Sequence, residues 1–226
     1  MNQIIPKHLG IIMDGNRRWA RKKGLFDIQG HVAGLETFKK IVRHCREKGV
    51  KILTVFAFST ENWQRSDKEV DFLMALCQKA IDDDFKDLAG EGIRIKIIGQ
   101  REMLSFKLID SLAEIEELTK NNKDMTLNIA LSYGGRAEIV SAVKAIIEKK
   151  IPAKEITEMV IAENLQATDL DLLIRTGEEQ RISNFLIWQA AYAELYFSEK
   201  YWPDFSEEDL SKAFEEFALR NRRHGK

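Results

Sequence analysis

The sequence contains few of the residues that build secreted, fibrous or disordered chains. Its 226 residues include only three prolines and two cysteines. With so little proline and no low-complexity stretch, a collagen-like or disordered chain is excluded. The two cysteines, Cys45 and Cys77, do not form a CxxC pair, so we interpret them as two core thiols in a reducing compartment.

Excess charge and long apolar runs are also missing. There are 35 lysines and arginines against 36 aspartates and glutamates, a net charge of -1. A protein dedicated to nucleic acid would usually be strongly basic. No stretch approaches the roughly 18 apolar residues of a membrane span, and residues 1–7 lack the apolar region of a signal peptide. We therefore predict a cytoplasmic protein that binds no nucleic acid and folds as a single domain over residues 1–226.

Apolar strands alternate with amphipathic helices along the whole chain. The predicted strands are 8–13, 52–58, 93–98, 125–131 and 170–174, and the predicted helices are 31–48, 68–88, 102–120, 136–149 and one that begins at Ser206. This alternation predicts an α/β fold with a central, mostly parallel sheet of about six strands, flanked by helices. Such sheets bind ligands at the C-terminal ends of their strands, where several polar turns lie here.

The first polar turn spans residues 14–19 (DGNRRW). Asp suits a hard cation such as Mg²⁺, and a guanidinium matches the oxygens of a phosphate. The turn therefore predicts a magnesium–diphosphate site. An Asp in this position is also a common turn former or helix cap, and that alternative stays open.

Two later turns have a similar composition. Residues 59–65 (STENWQR) follow the second strand. Arg175, Arg181 and Ser183 follow the last predicted strand and could bind a second phosphate group. We call these three residues the second clamp, and the turn at 14–19 the first clamp. The sequence contains no GxxxxGK[ST], no GxGxxG and no HExxH, so neither a nucleotide-binding loop nor a zinc hydrolase is indicated.

Residues 83–87 (DDFKD) match the DDxxD magnesium motif of trans-type prenyl-diphosphate synthases. The local apolar stripe of Ile81, Phe85 and Leu88 places the outer aspartates on the opposite, solvated face of a helix. Those enzymes are also all-helical, whereas this sequence predicts an α/β fold. A trans-type synthase is therefore the weakest of the alternatives.

The turns, taken in order, resemble the cis-prenyltransferase family, whose bacterial members include undecaprenyl diphosphate synthase. The matching stretches are 8–20 (HLGIIMDGNRRWA), 30–31, 53–65 (LTVFAFSTENWQR), 127–136 (LNIALSYGGR), 171–177 (DLLIRTG) and 181–205. The resemblance implies an enzyme that condenses isopentenyl diphosphate in cis onto an allylic diphosphate, such as farnesyl diphosphate. Its product would be a long polyprenyl diphosphate lipid carrier such as undecaprenyl diphosphate.

The resemblance also implies roles for individual residues. Asp14 and Asn62 would be catalytic, and Asp14 and Glu194 would hold Mg²⁺. The residues that would bind the two diphosphate substrates are Gly15, Asn16, Arg17, Arg18, Trp19, His31, Ser59, Thr60, Glu61, Trp63, Arg65, Arg175, Arg181, Ile182 and Ser183. The resemblance further implies a homodimer, with Arg223-His224-Gly225 completing the partner's site. The apolar product implies transient contact with the inner face of a membrane.

A growing prenyl chain needs an apolar tunnel. The candidates are Ala57, Phe58, Leu127, Ile129, Leu73, Leu76 and Cys77, for each of which plain core packing is equally consistent.

Two positions depart from the family pattern. Asp27 stands where the family usually carries an arginine, and Glu178 replaces the second glycine after Arg175-Thr176. Asp27 would remove a phosphate contact and add a repelling charge, and Glu178 would bring a carboxylate near the second clamp. Both predict weaker substrate affinity. They are also the support for another alternative, a catalytically weak partner subunit that binds prenyl diphosphates.

Overall fold

The computed structural model describes residues 4–220. Within this range the strands are β1 (His8–Ile12), β2 (Ile52–Ser59), β3 (Ile93–Ile98), β4 (Met125–Tyr133), β5 (Leu172–Arg175) and β6 (Glu194–Phe197). They form one six-stranded sheet in the order β3-β4-β2-β1-β5-β6, and every neighbouring pair is parallel. The predicted α/β fold is confirmed, with a sheet that is entirely parallel.

Eight helices connect and cover the strands. They are α1 (Asn16–Lys22), α2 (Asp27–Lys48), α3 (Asp67–Lys79), α4 (Phe85–Gly90), α5 (Phe106–Thr119), α6 (Gly135–Glu148), α7 (Glu158–Glu163) and α8 (Glu207–Leu219). A π turn, Ala80–Asp84, joins α3 to α4, and a 3₁₀ turn, Thr60–Gln64, follows β2. None of the helices in residues 4–220 is long and apolar enough to span a lipid bilayer.

The sheet is buried on both faces, which is why its strands are nearly continuous apolar runs. Leu9 and Ile11 of β1 point to the larger core, together with residues of α2, α4, α5 and α8. Ile12 points to a smaller core on the other face, where it joins Phe185 and Leu186. The predicted bounds of β3, residues 93–98, are confirmed, although Arg94 and Lys96 of this strand are exposed on the second face.

A buried polar network crosses the middle of the sheet on the second face. His8 Nε2 lies 2.7 Å from the Thr54 hydroxyl, which also accepts a hydrogen bond from Asn128 Nδ2 at 2.9 Å. His8 Nδ1 lies 3.0 Å from the carbonyl oxygen of Asp169, so that nitrogen donates and Nε2 accepts from Thr54. Burial lowers the pKa of His8 to about 4, so the network holds a neutral imidazole.

The strand order decides where the polar turns meet. β1 is hydrogen-bonded to β2 on one side and to β5 on the other. The carboxyl ends of these three parallel strands therefore lie side by side, and the turns that follow them form one edge of the sheet.

Candidate active site

A cavity of about 860 Å³ opens at the carboxyl ends of β1, β2 and β5. Its polar mouth is lined by Asp14, Gly15, Asn16, Arg17, Arg18, Arg21, His31, Ser59, Glu61, Asn62, Arg65, Arg175, Ser183 and Asn184. Three turns that are far apart in sequence thus line one cavity, because the parallel strands that they follow are neighbours in the sheet and end at the same edge.

Asp14 lies between two guanidiniums at the centre of the mouth. Its Oδ1 is 3.1 Å from Arg18 Nη2, and its Oδ2 is 2.9 Å from Arg175 Nη2. Gly15 is the residue that precedes the first turn of α1, and no side chain caps that helix. The helix-cap interpretation of Asp14 is therefore wrong, and its carboxylate is available for chemistry.

Gly177 permits this close packing. Its φ is +89°, and a Cβ at this position would lie 2.8 Å from Arg18 Nη2 and 3.0 Å from the Asp14 backbone. Glycine is the residue that adopts this backbone conformation without steric cost and leaves room for the guanidinium.

Several polar atoms of the mouth are buried without a hydrogen-bond partner among residues 4–220. They are Asn16 Oδ1, His31 Nε2 and Arg175 Nε. Burial, together with the nearby Arg65 guanidinium, lowers the pKa of His31 to about 4, so its ring is neutral. Buried polar atoms are normally satisfied, so unsatisfied ones clustered beside a cavity suit the binding of a polar group.

Arg175 also organises the second clamp. Its Nη1 donates to Ser183 Oγ at 2.7 Å and to the carbonyl oxygen of Arg181. The Arg181 side chain turns outward and pairs with Glu179 at 2.5 Å. Glu179 pairs in turn with Arg18 at 3.1 Å, so one carboxylate bridges the cations of the two predicted clamps. The sequence reasoning missed Glu179.

A second missed carboxylate, Glu69 of α3, gathers cations at the side of the mouth. Its Oε1 lies 2.8 Å from Arg65 Nη1, 3.3 Å from Arg17 Nη1 and 3.9 Å from His31 Nε2. The four-residue spacing between Arg65 and Glu69 is the sequence signal that could have indicated the first of these pairs.

Asp27 behaves differently from its sequence-based expectation. It accepts from Arg17 Nε at 2.9 Å and from Arg21 Nε and Nη2 at 2.8 and 2.7 Å. The hydrogen bond from Arg21 holds the pKa of Asp27 below its usual value. The expected repelling charge is therefore neutralised by two guanidiniums, and Asp27 orients both of them at the mouth.

Glu178 stands where the family has glycine, and its backbone adopts a conformation that favours glycine. Its φ is +67°, in the left-handed region that favours glycine. Its side chain is exposed and lies 3.4 Å from the Tyr201 hydroxyl rather than in the cavity lining. The substitution places strain, more than charge, beside the second clamp.

Asn62 and Asn184 hold the turns together. Asn62 Oδ1 accepts from the Ser59 N–H at 3.1 Å, while Ser59 Oγ accepts from the Asn62 N–H. Asn184, at φ +63°, donates from Nδ2 to Glu61 at 2.8 Å and accepts at Oδ1 from the Arg136 N–H. Asn184 therefore ties the segments after β2, β4 and β5, a role that sequence reasoning missed.

Some predicted substrate contacts lie outside the cavity lining, namely Trp19, Thr60, Trp63, Arg181 and Ile182. The two indoles have structural partners instead. Trp19 Nε1 donates to Asp204 at 2.7 Å, and Trp63 Nε1 donates to Ser132 at 2.9 Å. Ile182 packs against the smaller core. For these five residues a contact with substrate stays a prediction from the sequence.

Glu194 is not brought to Asp14 within one chain. It begins β6 and is in register with Leu172 at the start of β5, so it lies at the amino ends of the strands, and it pairs with Arg220 at 3.0 Å. The described part of the chain holds no cluster of three or more His, Cys, Asp or Glu side chains suited to a metal. Of the two predicted metal ligands, Asp14 lines the cavity and Glu194 does not. That fits Mg²⁺, which takes one or two carboxylates and completes its octahedron with phosphate oxygens and water. Arg223-His224-Gly225 lie outside the described residues.

Below the polar mouth the cavity becomes apolar. Of the predicted tunnel residues, Ala57, Phe58, Leu73, Leu76, Cys77 and Ile129 line it. Leu127 does not, because it is fully buried in the core. Cys45 is also a core residue, whereas Cys77 faces the cavity, where burial raises its pKa to about 12. The inner part of the cavity is apolar, as a prenyl chain requires.

The three aspartates of the DDxxD string lie outside the cavity lining. Its residues 83 and 87 are exposed, and Asp84 pairs with Lys39 at 2.9 Å. With a parallel α/β sheet as the scaffold, the trans-type interpretation of this string is wrong.

Comparison with known proteins agrees with this site. Residues 12–225 match the family described as putative undecaprenyl diphosphate synthase. An isoprenyl transferase from Neisseria gonorrhoeae is 48% identical over 225 residues, 98% of this chain and 90% of the relative. A ditrans,polycis-undecaprenyl-diphosphate synthase ((2E,6E)-farnesyl-diphosphate specific) from Legionella pneumophila is 45% identical over 232 residues, 100% of this chain and 98% of the relative.

Solved structures give the same result. Lavandulyl diphosphate synthase from Lavandula x intermedia, in complex with dimethylallyl diphosphate, is similar with a TM-score of 0.94 and 36% identity, covering 98% of this chain and 99% of the other. A probable undecaprenyl diphosphate synthase from Campylobacter jejuni has a TM-score of 0.85 at 36% identity, with the same coverage. The chain belongs to the cis-prenyltransferase family, as the strand-end turns predict.

Proposed function

We propose that this chain condenses isopentenyl diphosphate in cis onto an allylic diphosphate, for which farnesyl diphosphate is the candidate, and repeats the step to make a long polyprenyl diphosphate such as undecaprenyl diphosphate. The single observation that carries the proposal is the cavity itself. Buried, unpartnered polar atoms and several guanidiniums lie at its mouth, and an apolar chamber lies directly behind them. This arrangement suits a molecule with a diphosphate head and an apolar tail.

The reaction replaces one bond to C1 of the allylic substrate by another. The C1–O bond breaks and releases diphosphate, C1 bonds to C4 of isopentenyl diphosphate, and C2 of that unit loses a proton. The leaving group gains negative charge as C1–O breaks. Arg17 and Arg18 lie where they can stabilise that charge, and because they are fixed by Asp27, Glu69 and Asp14, little reorganisation is needed.

The second substrate is proposed to bind at Arg175, Arg181 and Ser183. The Arg175 guanidinium is fixed by Asp14 and Ser183, and its Nε is unpartnered. The site thereby holds two diphosphates next to each other, and their fixed orientation supplies the entropic part of the rate enhancement.

Asn62 is proposed to orient groups rather than to remove the proton. Its Oδ1 is already an acceptor for the Ser59 N–H, and an amide is a poor base. An oxygen of the released diphosphate is the better acceptor, and the Asn62 Nδ2 group is left to position the diphosphate.

Magnesium dependence belongs to the same proposal, with Asp14 as the protein ligand. When bound, the ion would neutralise charge on the departing diphosphate. Glu194 could contribute only from a different chain, because within one chain it lies at the opposite ends of the strands.

A homodimer is supported by an exposed apolar stripe on α6. Val140, Val143 and Ile147 recur at helical spacing and are 53%, 44% and 68% exposed. A second copy would cover such a stripe. The cytoplasmic location and transient membrane contact stay predictions from the sequence and its family.

The test is to incubate the purified chain with farnesyl diphosphate, labelled isopentenyl diphosphate and Mg²⁺, and to resolve product length and double-bond geometry. We expect cis-polyprenyl diphosphates, and their loss in Asp14→Asn. Absence of product would favour the weak partner subunit, and all-trans product would favour the trans-type synthase. A single condensation without further elongation would contradict the long-product part of the proposal.

A further inference from the structure

A short segment after β6 crosses over the ends of β1 and β5. The Gly177 N–H, in the turn that carries the second clamp, donates to the Lys200 carbonyl oxygen at 2.7 Å. The Trp202 N–H donates to the Asp14 carbonyl oxygen at 2.9 Å, and Trp202 itself is only 1% exposed. Residues 198–202, which we call the strap, are therefore fixed by backbone hydrogen bonds to the turns of both clamps.

Tyr201 is the strap residue whose side chain reaches the first clamp. It is half-buried and does not line the cavity. Its ring packs against the backbone of Gly15, where a Cβ would lie 2.7 Å from Tyr201 Cδ1. The ring therefore lies directly against the turn that is proposed to hold the allylic diphosphate.

The same ring lies over the Arg18 guanidinium. The distance from Arg18 Cζ to the ring centroid is 5.4 Å, which is within the range of a cation–π contact. Two carboxylates hold the edges of this guanidinium, because Asp14 lies 3.1 Å from its Nη2 and Glu179 lies 3.1 Å from its Nη1. Arg18 is therefore restrained at two edges and on one face.

The contact with the ring fixes Arg18 without using any of its hydrogen-bond donors. A guanidinium has five N–H donors, all of which lie in its plane. Each carboxylate occupies at least one of them, whereas an aromatic ring under the face occupies none. The Tyr201 ring can thus set the plane of the guanidinium while the remaining donors of Arg18, which lines the cavity, stay available for diphosphate oxygens.

The other contacts of Tyr201 are weaker. Its hydroxyl lies 3.4 Å from Glu178 Oε2, at the long limit of a hydrogen bond, and Glu178 is exposed. Lys22 is a second cation beside the ring, but its Nζ is 5.9 Å from the centroid and it does not line the cavity. The ring and Arg18 are therefore the pair that can act on a substrate.

We propose that Tyr201 is a positioning residue for the allylic diphosphate, because its ring holds the Arg18 guanidinium in the orientation that binds the phosphate oxygens. This inference rests on the proposed function, and it assigns a role in substrate affinity to a residue that lies outside the cavity lining. The strap is bonded to the second clamp through its backbone, so removal of the ring should leave the second clamp in place.

The experiment measures steady-state kinetics of Tyr201→Leu and Tyr201→Phe with each substrate varied in turn. We expect Tyr201→Leu to raise KM for farnesyl diphosphate about 3- to 10-fold and to leave KM for isopentenyl diphosphate nearly unchanged. Tyr201→Phe keeps the ring and should behave as wild type. A ring with only a structural role would instead lower the amount of active enzyme, which reduces kcat and leaves both KM values unchanged.

Lys23→Ala and Lys22→Ala are matched controls at the end of α1. Lys23 Nζ lies 4.2 Å from the Trp19 ring centroid, so its removal deletes a cation–aromatic pair in which Arg18 takes no part. Lys22→Ala removes the second cation beside Tyr201. Both variants should keep the wild-type KM for farnesyl diphosphate. A rise in Lys22→Ala equal to that in Tyr201→Leu would show that the ring does not act through Arg18.

Fluorinated forms of Tyr201→Phe test the inference with little change in volume. Each fluorine withdraws electron density from the face of the ring and weakens its attraction for a cation. We expect KM for farnesyl diphosphate to rise stepwise from the unfluorinated ring to the mono-, di- and trifluorinated rings, while the unfolding temperature stays the same. Equal KM values across the series would overturn the proposal, and this series decides should Tyr201→Leu fail to fold.

The outcomes separate this inference from the proposed function. If the wild-type protein elongates but Tyr201→Leu keeps the wild-type KM, the positioning role is wrong and the function stands. If the wild-type protein makes no cis-polyprenyl product, the proposed function fails. Calorimetric binding of farnesyl thiodiphosphate, an analogue that ionises slowly, then tests the role of the ring by itself. Tyr201→Leu should weaken this binding by the same factor, and equal binding would overturn the inference.

Discussion

Arg175 donates to Asp14 with 2.9 Å between Nη2 and Oδ2, although 161 positions separate the two residues. Each residue stands at the end of its own strand, and the pairing of β1 with β5 brings the two ends together. The predicted magnesium carboxylate and the predicted second clamp are thus one hydrogen-bonded unit, so a change at either residue should affect both substrates.

Arg175→Lys tests this unit. Lysine keeps the charge but cannot donate in parallel to Asp14 and Ser183, so we expect KM for both diphosphates to rise and kcat to fall. Hydrogen bonds to charged groups contribute roughly 1.5–3 kcal/mol, which corresponds to about 10- to 150-fold in kcat/KM. Steady-state kinetics with each substrate varied in turn measures this. An effect confined to isopentenyl diphosphate would show that the two clamps act separately.

Asp27→Asn distinguishes a positioning carboxylate from a repelling one. Since Asp27 holds Arg17 and Arg21 in place, we expect the variant to raise KM for the allylic diphosphate a few-fold with little change in kcat. The pairs are partly exposed, which keeps the effect small. Asp110→Asn, an exposed carboxylate on α5, is the control. Tighter binding by Asp27→Asn would instead support the repelling-charge view.

Glu178→Gly should stabilise the protein. A non-glycine residue at φ +67° costs roughly 1–2 kcal/mol, part of which glycine loses again to the freedom of the unfolded chain. We expect a gain of up to about 1 kcal/mol in the free energy of unfolding, measured by denaturant titration. Glu178→Ala removes the carboxylate without relieving the backbone. Equal gains in the two variants would show that charge, not strain, is responsible.

Acid should destabilise the fold through His8. Its folded pKa of about 4 lies below the unfolded value near 6.5, so the unfolded chain binds the proton first as pH falls. The stability contribution is fully present above about pH 6.5 and is lost progressively down to about pH 4, by roughly 3 kcal/mol in total. Unfolding titrations at several pH values measure the slope. His8→Asn should make stability less dependent on pH. His31→Asn reports separately on His31, the second histidine whose pKa is lowered. A wild-type slope retained in both variants would contradict the assignment.

Asn62→Asp tests whether residue 62 is the group that accepts the proton from C2 of isopentenyl diphosphate. A carboxylate could still accept from the Ser59 N–H, but it would bring negative charge toward the departing diphosphate. We therefore expect kcat to fall at neutral pH while folding is retained, measured by product formation and thermal unfolding. A faster variant would identify this position as the base.

The sequence predicts the sheet well because β1, β4 and β5 are buried on both faces and read as largely apolar runs, while β3 alternates buried apolar with exposed charged residues. β6 was not predicted, because its four residues ELYF are only partly buried and begin with a charged residue. The π turn was not predicted either, for another reason. The apolar positions of 68–88 read as one helix, and no local pattern indicates the change in hydrogen bonding at Ala80–Asp84.

Within the site, residues at strand ends could be predicted and their contacts could not. The turns that hold Asp14 and Arg175 follow from the strand pattern and family resemblance. Glu69 and Glu179 also pair with Arg17 and Arg18, which are far from them in sequence, and no local pattern indicates these two pairs. Trp19 and Trp63 lie within a site motif, and the sequence does not indicate that their indole N–H groups donate to Asp204 and Ser132.

The helix α3 is described over its whole length and contains no fully buried side chain, although Val70, Leu73, Met74 and Cys77 pack against the larger core. Because Leu73, Met74, Leu76 and Cys77 line the cavity, the proposed product would cover them. Each added isoprene unit would make new dispersion contacts along α3, so bound lipid should raise the unfolding temperature in proportion to its length. The same dispersion contacts would slow the release of the finished chain, so the enzyme would bind most tightly the product that it has to release.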